Sequence, residues 1–238
     1  MVLVHGTTAD GTRWAPVLPA LCEHFTVYVC DRRGRGASSD GPSYAMEREF
    51  EDVAAVVAGI GGPVDLLGHS YGALCSLEAA ARVKNLRRLV LYEPPIPAGM
   101  PITPPGMIDR LQALLDAGDP DGVVATFLGE VARVPPQQLD HIRTLPAWRA
   151  RVGAAATIPR ELRAHDAYAF APERFRDLKV PVLLLLGGDS PPFFRAALER
   201  VQAAVPSAEL VVLPGQQHVA IDTAPELFAR EVIGFLAR

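Results

Sequence analysis

A serine at position 70 stands in a setting that could make it a nucleophile. It lies at the centre of the pentapeptide Gly68–Gly72 (GHSYG), between the mostly apolar run Val64–Leu67 and a helix-like segment from Ala73 to Lys84. The flanking glycines suit a sharp turn from a strand into a helix, because such a turn brings backbones together and leaves no room for side chains. The pattern predicts that Ser70 lies at the apex of this turn.

A serine hydroxyl is a poor nucleophile unless a nearby base takes its proton, and that base must itself be oriented. The best-placed base is His218, which follows the last predicted strand in a loop before the final predicted helix. A histidine there would lie on the same side of a parallel sheet as Ser70. The other five histidines belong to other motif loops or to predicted helices, where surface or internally bonded positions are expected: His5, His69, His24, His141 and His165.

The elements that must position these two loops alternate along the chain. Strands are predicted at Val2–Val4, Phe25–Cys30, Val64–Leu67, Leu86–Tyr92, Val180–Leu186 and Leu210–Leu213. Helices are predicted between or after them at Trp14–His24, Glu47–Ile60, Ala73–Lys84, Pro192–Val205 and Pro225–Leu236. Such alternation predicts an α/β fold with a mostly parallel sheet and helices on both of its faces.

The pattern changes between the fourth and fifth predicted strands. A proline-rich stretch at residues 94–105 leaves the sheet, and four helices follow without intervening strands: Met107–Ala117, Pro120–Val131, Pro136–Leu145 and Trp148–His165. Thr157 and Pro159 indicate a break within the last of them. We therefore predict a core formed by residues 1–93 and 180–238. Residues 94–179 are predicted to form a helical cap over one end of the sheet.

Composition narrows the possible functions. The 238 residues carry a net charge of −4 without a basic block, so no nucleic-acid partner is expected. The three separated cysteines, Cys22, Cys30 and Cys75, favour neither a disulfide framework nor a zinc site, and no metal or other cofactor is expected. No signal peptide or membrane-length apolar run is found, which predicts a soluble cytoplasmic protein without a membrane partner. The oligomeric state stays open.

Four motifs occur in an order that resembles the α/β-hydrolase fold superfamily: His5-Gly6, Asp31–Gly36 (DRRGRG), Gly68–Gly72 and Gly215–His218 (GQQH). The resemblance covers essentially the whole chain. It favours the serine hydrolases, because haloalkane dehalogenases and epoxide hydrolases of this superfamily have an aspartate as the nucleophile. It implies that the backbone N–H groups of Thr7 and Tyr71 form an oxyanion hole. Family members usually have two further strands before the His-Gly strand, and the fold is expected to lack them.

The resemblance also implies a carboxylate that orients His218, and two residues are candidates. The usual family acid follows the fifth predicted strand as Gly-x-x-Asp, but Asp189 falls one residue short of that position, which holds Ser190. Glu93 follows the fourth predicted strand, at a position that haloalkane dehalogenases and related luciferases use for a glutamate. The comparison favours Glu93 narrowly and leaves Asp189 open.

These features predict a serine hydrolase that forms an acyl-enzyme on Ser70. Its expected partner is a small or medium, largely apolar ester, thioester, lactone or activated amide. The same fold and site could instead support carbon–carbon bond hydrolysis, a lyase step or cofactor-free oxygenation. A third interpretation is a non-catalytic receptor that keeps the pocket.

Overall fold

The computed structural model describes all residues, 1–238, and is organised around a six-stranded sheet. The strands are β1 (Val2–Val4), β2 (Tyr28–Cys30), β3 (Val64–His69), β4 (Leu86–Tyr92), β5 (Val182–Gly187) and β6 (Glu209–Leu213). Their order is β2-β1-β3-β4-β5-β6, and every neighbouring pair is parallel. The predicted fold class is confirmed.

Strands β3 and β5 are buried along their whole length because helices cover both faces of the sheet. Successive side chains of a strand point to opposite faces. Accordingly, Leu66 of β3 and Leu184 of β5 belong to one hydrophobic core, whereas Leu67 and Leu185 belong to the core on the other face. Because these strands are parallel neighbours, the C-terminal ends of β3, β4 and β5 lie at the same edge of the sheet.

The helices of the sheet region divide between these two cores. Those on the first face are α2 (Met46–Gly59), α3 (Tyr71–Ala80) and α9 (Pro192–Ala204). Those on the second face are α1 (Leu18–Cys22), α10 (Ala220–Thr223) and α11 (Pro225–Leu236). Every residue of α3 is buried, so the element that follows Ser70 is held firmly against the sheet. None of the helices combines the length and the apolar character needed to cross a bilayer.

The segment between β4 and β5 is helical, as predicted. It contains α4 (Met107–Asp116), α5 (Pro120–Thr126), α6 (Pro136–Thr144), α7 (Ala147–Gly153) and α8 (Ile158–Asp166). These helices enclose a hydrophobic core of their own, to which Val219 from the loop of His218 also contributes. We call residues 94–179 the cap segment; its status as a separate domain stays a prediction.

Three predicted elements differ from the observed ones. The predicted helix over Trp14–His24 is replaced by a 3-10 turn (Gly11–Trp14) and the short α1, because the intervening Pro16 interrupts the backbone hydrogen bonding. The strand expected from Phe25 begins only at Tyr28, at the exposed edge of the sheet. The helix predicted over Trp148–His165 is broken after Gly153 by a 3-10 turn.

Candidate active site

Ser70 occupies a strained turn between β3 and α3. Its φ of 56° and ψ of −126° lie in a region that non-glycine residues rarely adopt. The glycines on either side are sterically required: a Cβ on Gly68 would lie 2.5 Å from the Cα of Ala73, and one on Gly72 would lie 2.3 Å from the carbonyl oxygen of His5. The Ser70 N–H donates to the carbonyl of Tyr92 at 2.8 Å. The turn therefore presents the hydroxyl in one fixed place.

The side chains of Ser70, His218 and Glu93 form a continuous hydrogen-bond chain. His218 Nε2 lies 2.9 Å from Ser70 Oγ, and His218 Nδ1 lies 2.6 Å from Glu93 Oε2. The other carboxylate oxygen of Glu93 accepts from the N–H of Gly187 at 2.7 Å. Because an ionised Glu93 can only accept, Nδ1 carries the imidazole proton and Nε2 is free to accept the proton of Ser70. This arrangement can activate a hydroxyl.

Asp189, the other candidate acid, stands apart from this chain. Its side chain is exposed and takes part in no hydrogen bond or ion pair, while its backbone N–H donates to the carbonyl of Gln216 at 2.9 Å. Glu93, by contrast, is fully buried with a φ of 47° directly after β4, the strand between β3 and β5. The fold thus places the carboxylate of Glu93, and not that of Asp189, against His218.

Neighbours that the sequence analysis did not single out hold His218 in place. Phe194 stacks on its ring with centroids 4.3 Å apart, and His69 Nε2 donates to its carbonyl oxygen at 2.9 Å. The hydroxyl of Tyr92 donates to the carbonyl of Gln217 and accepts from the N–H of Ala220 at 3.1 Å. His69 directly precedes Ser70 in the sequence, and Tyr92 directly precedes Glu93. This adjacency is the sequence signal that could have identified them as neighbours of His218.

His69 takes part as a neutral side chain. Burial, followed by the nearby His218, lowers the pKa of His69 well below its usual value. Its Nε2 therefore carries the single ring proton, which it donates to the backbone of His218. A second positive charge next to the base is thus avoided.

The loop that follows β1 brings the predicted oxyanion donors to Ser70. A Cβ on Gly6 would lie 2.8 Å from the Cβ of Ser70, so the loop passes directly over the turn. Thr7, one residue further on, has no acceptor for its backbone N–H. Tyr71 is the first residue of α3, where a backbone N–H has no carbonyl partner within the helix. Neither N–H group has a backbone acceptor, and their role as oxyanion donors stays a prediction.

A small cavity of about 40 Å³ opens onto these groups. It is lined by Thr7, Ser70, Tyr71, Pro95, Ile102, Phe127, Val131, Ala132, Leu162, His165, Phe194 and His218. Three of these belong to or directly follow a π-helical turn at Phe127–Val131, which inserts the cap segment over the site. The lining contains no Asp, Glu, Lys or Arg. A larger groove of about 470 Å³ lies elsewhere, between the 31–41 loop and α2, and none of the three hydrogen-bonded side chains lines it.

The cap segment is joined to the core by a buried cluster of charges. Arg32 and Arg35 of the DRRGRG loop both pair with Glu161 of α8, and Arg32 also pairs with Glu49 of α2 at 2.8 Å. The guanidinium of Arg32 lies 4.6 Å from the ring centroid of Tyr71. Burial by itself would raise the pKa of Glu161, but Arg32 and Arg35 hold that pKa below its usual value. This cluster connects α8 to the residue that follows Ser70.

Replacing Glu161 with glutamine is expected to destabilise the protein by about 3 kcal/mol or more, because two buried guanidinium groups lose their shared partner. Urea unfolding at pH 7 would measure the loss, with Glu130→Gln as the control, since Glu130 forms an exposed pair with Arg110. Glu161 contributes to the free energy of unfolding at pH values above its pKa in the unfolded chain, about 4.5. This contribution is lost as the pH falls through the lower pKa that Glu161 has in the folded protein. Equal stability of the two variants would contradict this role.

Comparison with known proteins assigns the chain to a family. A profile described as "Alpha/beta hydrolase family" matches residues 1–231. Among curated proteins, 2-(acetamidomethylene)succinate hydrolase of Mesorhizobium japonicum is 28% identical over 256 aligned positions, covering 99% of this chain and 87% of that protein. N-formylmaleamate deformylase of Pseudomonas putida is 41% identical over 100 positions, 40% of this chain and 37% of that protein.

A solved structure supports the same assignment. The crystal structure of an alpha/beta hydrolase from Sphaerobacter thermophilus superposes with a TM-score of 0.84 and 35% identity, covering 99% of this chain and 91% of that one. The predicted superfamily is therefore confirmed. The chain belongs to the alpha/beta hydrolase family and is an enzyme with hydrolase activity.

Proposed function

We propose that the protein hydrolyses a small, neutral carboxylic ester or N-acyl amide through an acyl-enzyme on Ser70. The observation that carries this proposal is the hydrogen-bond chain from Ser70 through His218 to the buried Glu93. The free N–H groups of Thr7 and Tyr71 on either side of the hydroxyl support it. Together they supply a nucleophile, an oriented base and a place for negative charge.

The reaction follows from the positions of these groups. Ser70 Oγ attacks the acyl carbon while its proton passes to His218 Nε2, and the resulting oxyanion faces the N–H groups of Thr7 and Tyr71. Each such donor contributes about 3 kcal/mol of transition-state stabilisation. The bond to the leaving group then breaks, and the leaving group takes the proton from His218. Water attacks the acyl-enzyme with the same base, which releases the acid and returns a proton to Ser70.

The lining of the cavity supports a neutral substrate. A buried carboxylate is costly unless a cation or several donors meet it, and no Lys or Arg lines this cavity. The two curated relatives described above are named for anionic N-acyl compounds, a succinate and a maleamate. Their names support the amides among the esters, thioesters, lactones and activated amides that the sequence analysis expected. The absence of Lys and Arg from the lining of this cavity supports a substrate without their carboxylates.

This proposal is tested by stopping the reaction with acid during turnover and identifying the acylated peptide by mass spectrometry. We expect p-nitrophenyl acetate to leave one acetyl group on the peptide that contains Ser70, and we expect p-nitroacetanilide to be hydrolysed more slowly at the same site. The kcat/KM for p-nitrophenyl hemisuccinate is expected to be lower by about tenfold or more, because its carboxylate finds no partner in the cavity.

Two results would count against the proposal. Hemisuccinate turnover equal to acetate turnover would contradict the neutral substrate. Turnover of a β-diketone without any acyl group trapped on Ser70 would replace acyl transfer with the carbon–carbon bond hydrolysis that the sequence analysis left as an alternative.

A further inference from the structure

A buried arginine of the cap segment reaches the loop that carries the predicted oxyanion donor Thr7. Arg151, in α7, is 5% exposed, and its Nη1 donates to Thr8 Oγ1 at 2.9 Å. Its Nη2 lies 3.9 Å from the carboxylate of Asp222 in α10. Arg151 therefore contacts the loop after β1 and the short helix that begins two residues after His218.

Thr8 is held in an unfavourable conformation. It is fully buried and has a φ of 65°, although it is not a glycine. A β-branched residue in this region persists only when its surroundings hold it there. The hydrogen bond from Arg151 is the one that the Thr8 side chain makes, and it reaches across 143 positions of sequence. The conformation of the residue next to Thr7 thus depends on a contact from the cap segment.

Stability alone does not explain the presence of Arg151. Asp222 is already paired with Arg13, whose side chain is 1% exposed, so the core part of this cluster is neutral without Arg151. Arg151 adds a second buried cation beside Asp222, with Asp10 as the other nearby carboxylate, and Nε of Arg151 has no hydrogen-bond partner. Burial and then the neighbouring Arg13 lower the pKa of Arg151 to about 10, although Asp222 and Asp10 act in the opposite direction, so burying this charge is costly. Costly groups of this kind are typical of functional positions.

We infer that Arg151 is a positioning residue that fixes the oxyanion-hole loop through Thr8 when the cap segment is closed over the site. This inference rests on the proposed function, because it assigns to Thr7 the role of oxyanion donor. The cap segment covers the reacting groups, because three of its residues line the cavity at Ser70: Phe127, Val131 and Leu162. If the cap segment moves away from the core, Arg151 moves with it and Thr8 loses its hydrogen-bond donor. The enzyme then has full acyl-transfer activity only while the cap segment covers the site.

The test uses the rate at which a fluorophosphonate labels Ser70, since the phosphoryl oxygen needs the same N–H donors as a substrate oxyanion. The variants are Arg151→Met, Thr8→Val and the double variant, with Arg110→Met as the control because Arg110 forms an exposed pair within the cap segment. Each single variant is expected to lower the maximal labelling rate by about 10- to 100-fold. The double variant is expected to be no slower than the slower single one, because both remove the same contact.

The dependence of the labelling rate on fluorophosphonate concentration distinguishes a positioning role from a general loss of stability. Loss of positioning lowers the maximal labelling rate, whereas a merely structural role would lower the unfolding temperature and raise the half-saturating concentration. A wild-type maximal rate in Arg151→Met, or multiplied effects in the double variant, would overturn the inference. If Arg151→Met does not fold, Thr8→Val decides alone, and a wild-type rate in that variant overturns it. Failure of the wild-type protein to label would instead refute the proposed nucleophile.

Discussion

Replacing Ser70 with alanine is expected to lower kcat by about 10⁵- to 10⁶-fold and to abolish fluorophosphonate labelling, because no other hydroxyl can occupy its place at the apex of the turn. His218 Nε2 would lose the group from which it takes a proton. Alanine keeps the Cβ and the same positive φ, so the turn itself is expected to survive. Near-wild-type circular dichroism and unfolding temperature would establish that the loss is chemical.

The matched control is Ser76→Ala in α3, the helix that follows Ser70. Ser76 is fully buried, and its hydroxyl has no hydrogen-bond partner. Its removal takes away a buried polar group without touching Ser70, so turnover and labelling are expected to stay near wild type. If Ser70→Ala kept a kcat within tenfold of the wild-type value, Ser70 could not be the nucleophile.

Replacing Glu93 with glutamine is expected to lower kcat by about 10³- to 10⁴-fold while the fold persists. The carboxylate accepts from two donors, His218 Nδ1 and the N–H of Gly187. A glutamine has only one oxygen for these two donors, so its NH₂ group must face one of them. If that group faces His218, it favours the wrong tautomer and the ring no longer accepts a proton from Ser70.

Asp189→Asn provides the comparison, because Asp189 was the alternative acid from sequence. Its exposed carboxylate has no partner, and we expect kcat to stay within about twofold of wild type. Steady-state kinetics of both variants on one acetyl ester would measure the difference. A large loss in Asp189→Asn together with normal turnover in Glu93→Gln would reverse the assignment of the acid.

Much of the sheet region could be predicted from local pattern. The strand predicted over Leu86–Tyr92 has those bounds in the structure, because a mostly aliphatic segment there is bounded by polar residues on one side and by Glu93 and prolines on the other. The turn around Ser70 was also predictable, since two glycines are needed where backbones come within contact distance. Local signals failed at the edge strand β2, which is paired on one side only and begins three residues later than its composition suggested.

The cap segment shows a different limit of local pattern. Its helical character was predicted, and Thr157 and Pro159 indicated a break within Trp148–His165, but the hydrophobic spacing did not show that α7 already ends at Gly153. The hydrogen bond of Arg151 to Thr8 and the contacts of Glu161 with Arg32 and Arg35 join positions more than 120 residues apart. No spacing rule connects such residues, because they meet only when the cap segment folds back over the sheet.

The sequence by itself determined the family, the turn that carries Ser70 and the histidine placed to serve it, because each depends on a short motif beside a regular element. Only the tertiary structure showed which of the two candidate carboxylates lies against His218. Both Glu93 and Asp189 follow a strand at the same edge of the sheet, and their distance from His218 depends on the direction of each side chain as it leaves its strand. The left-handed backbone of Glu93 turns its carboxylate inward between His218 and Gly187, whereas Asp189 faces solvent.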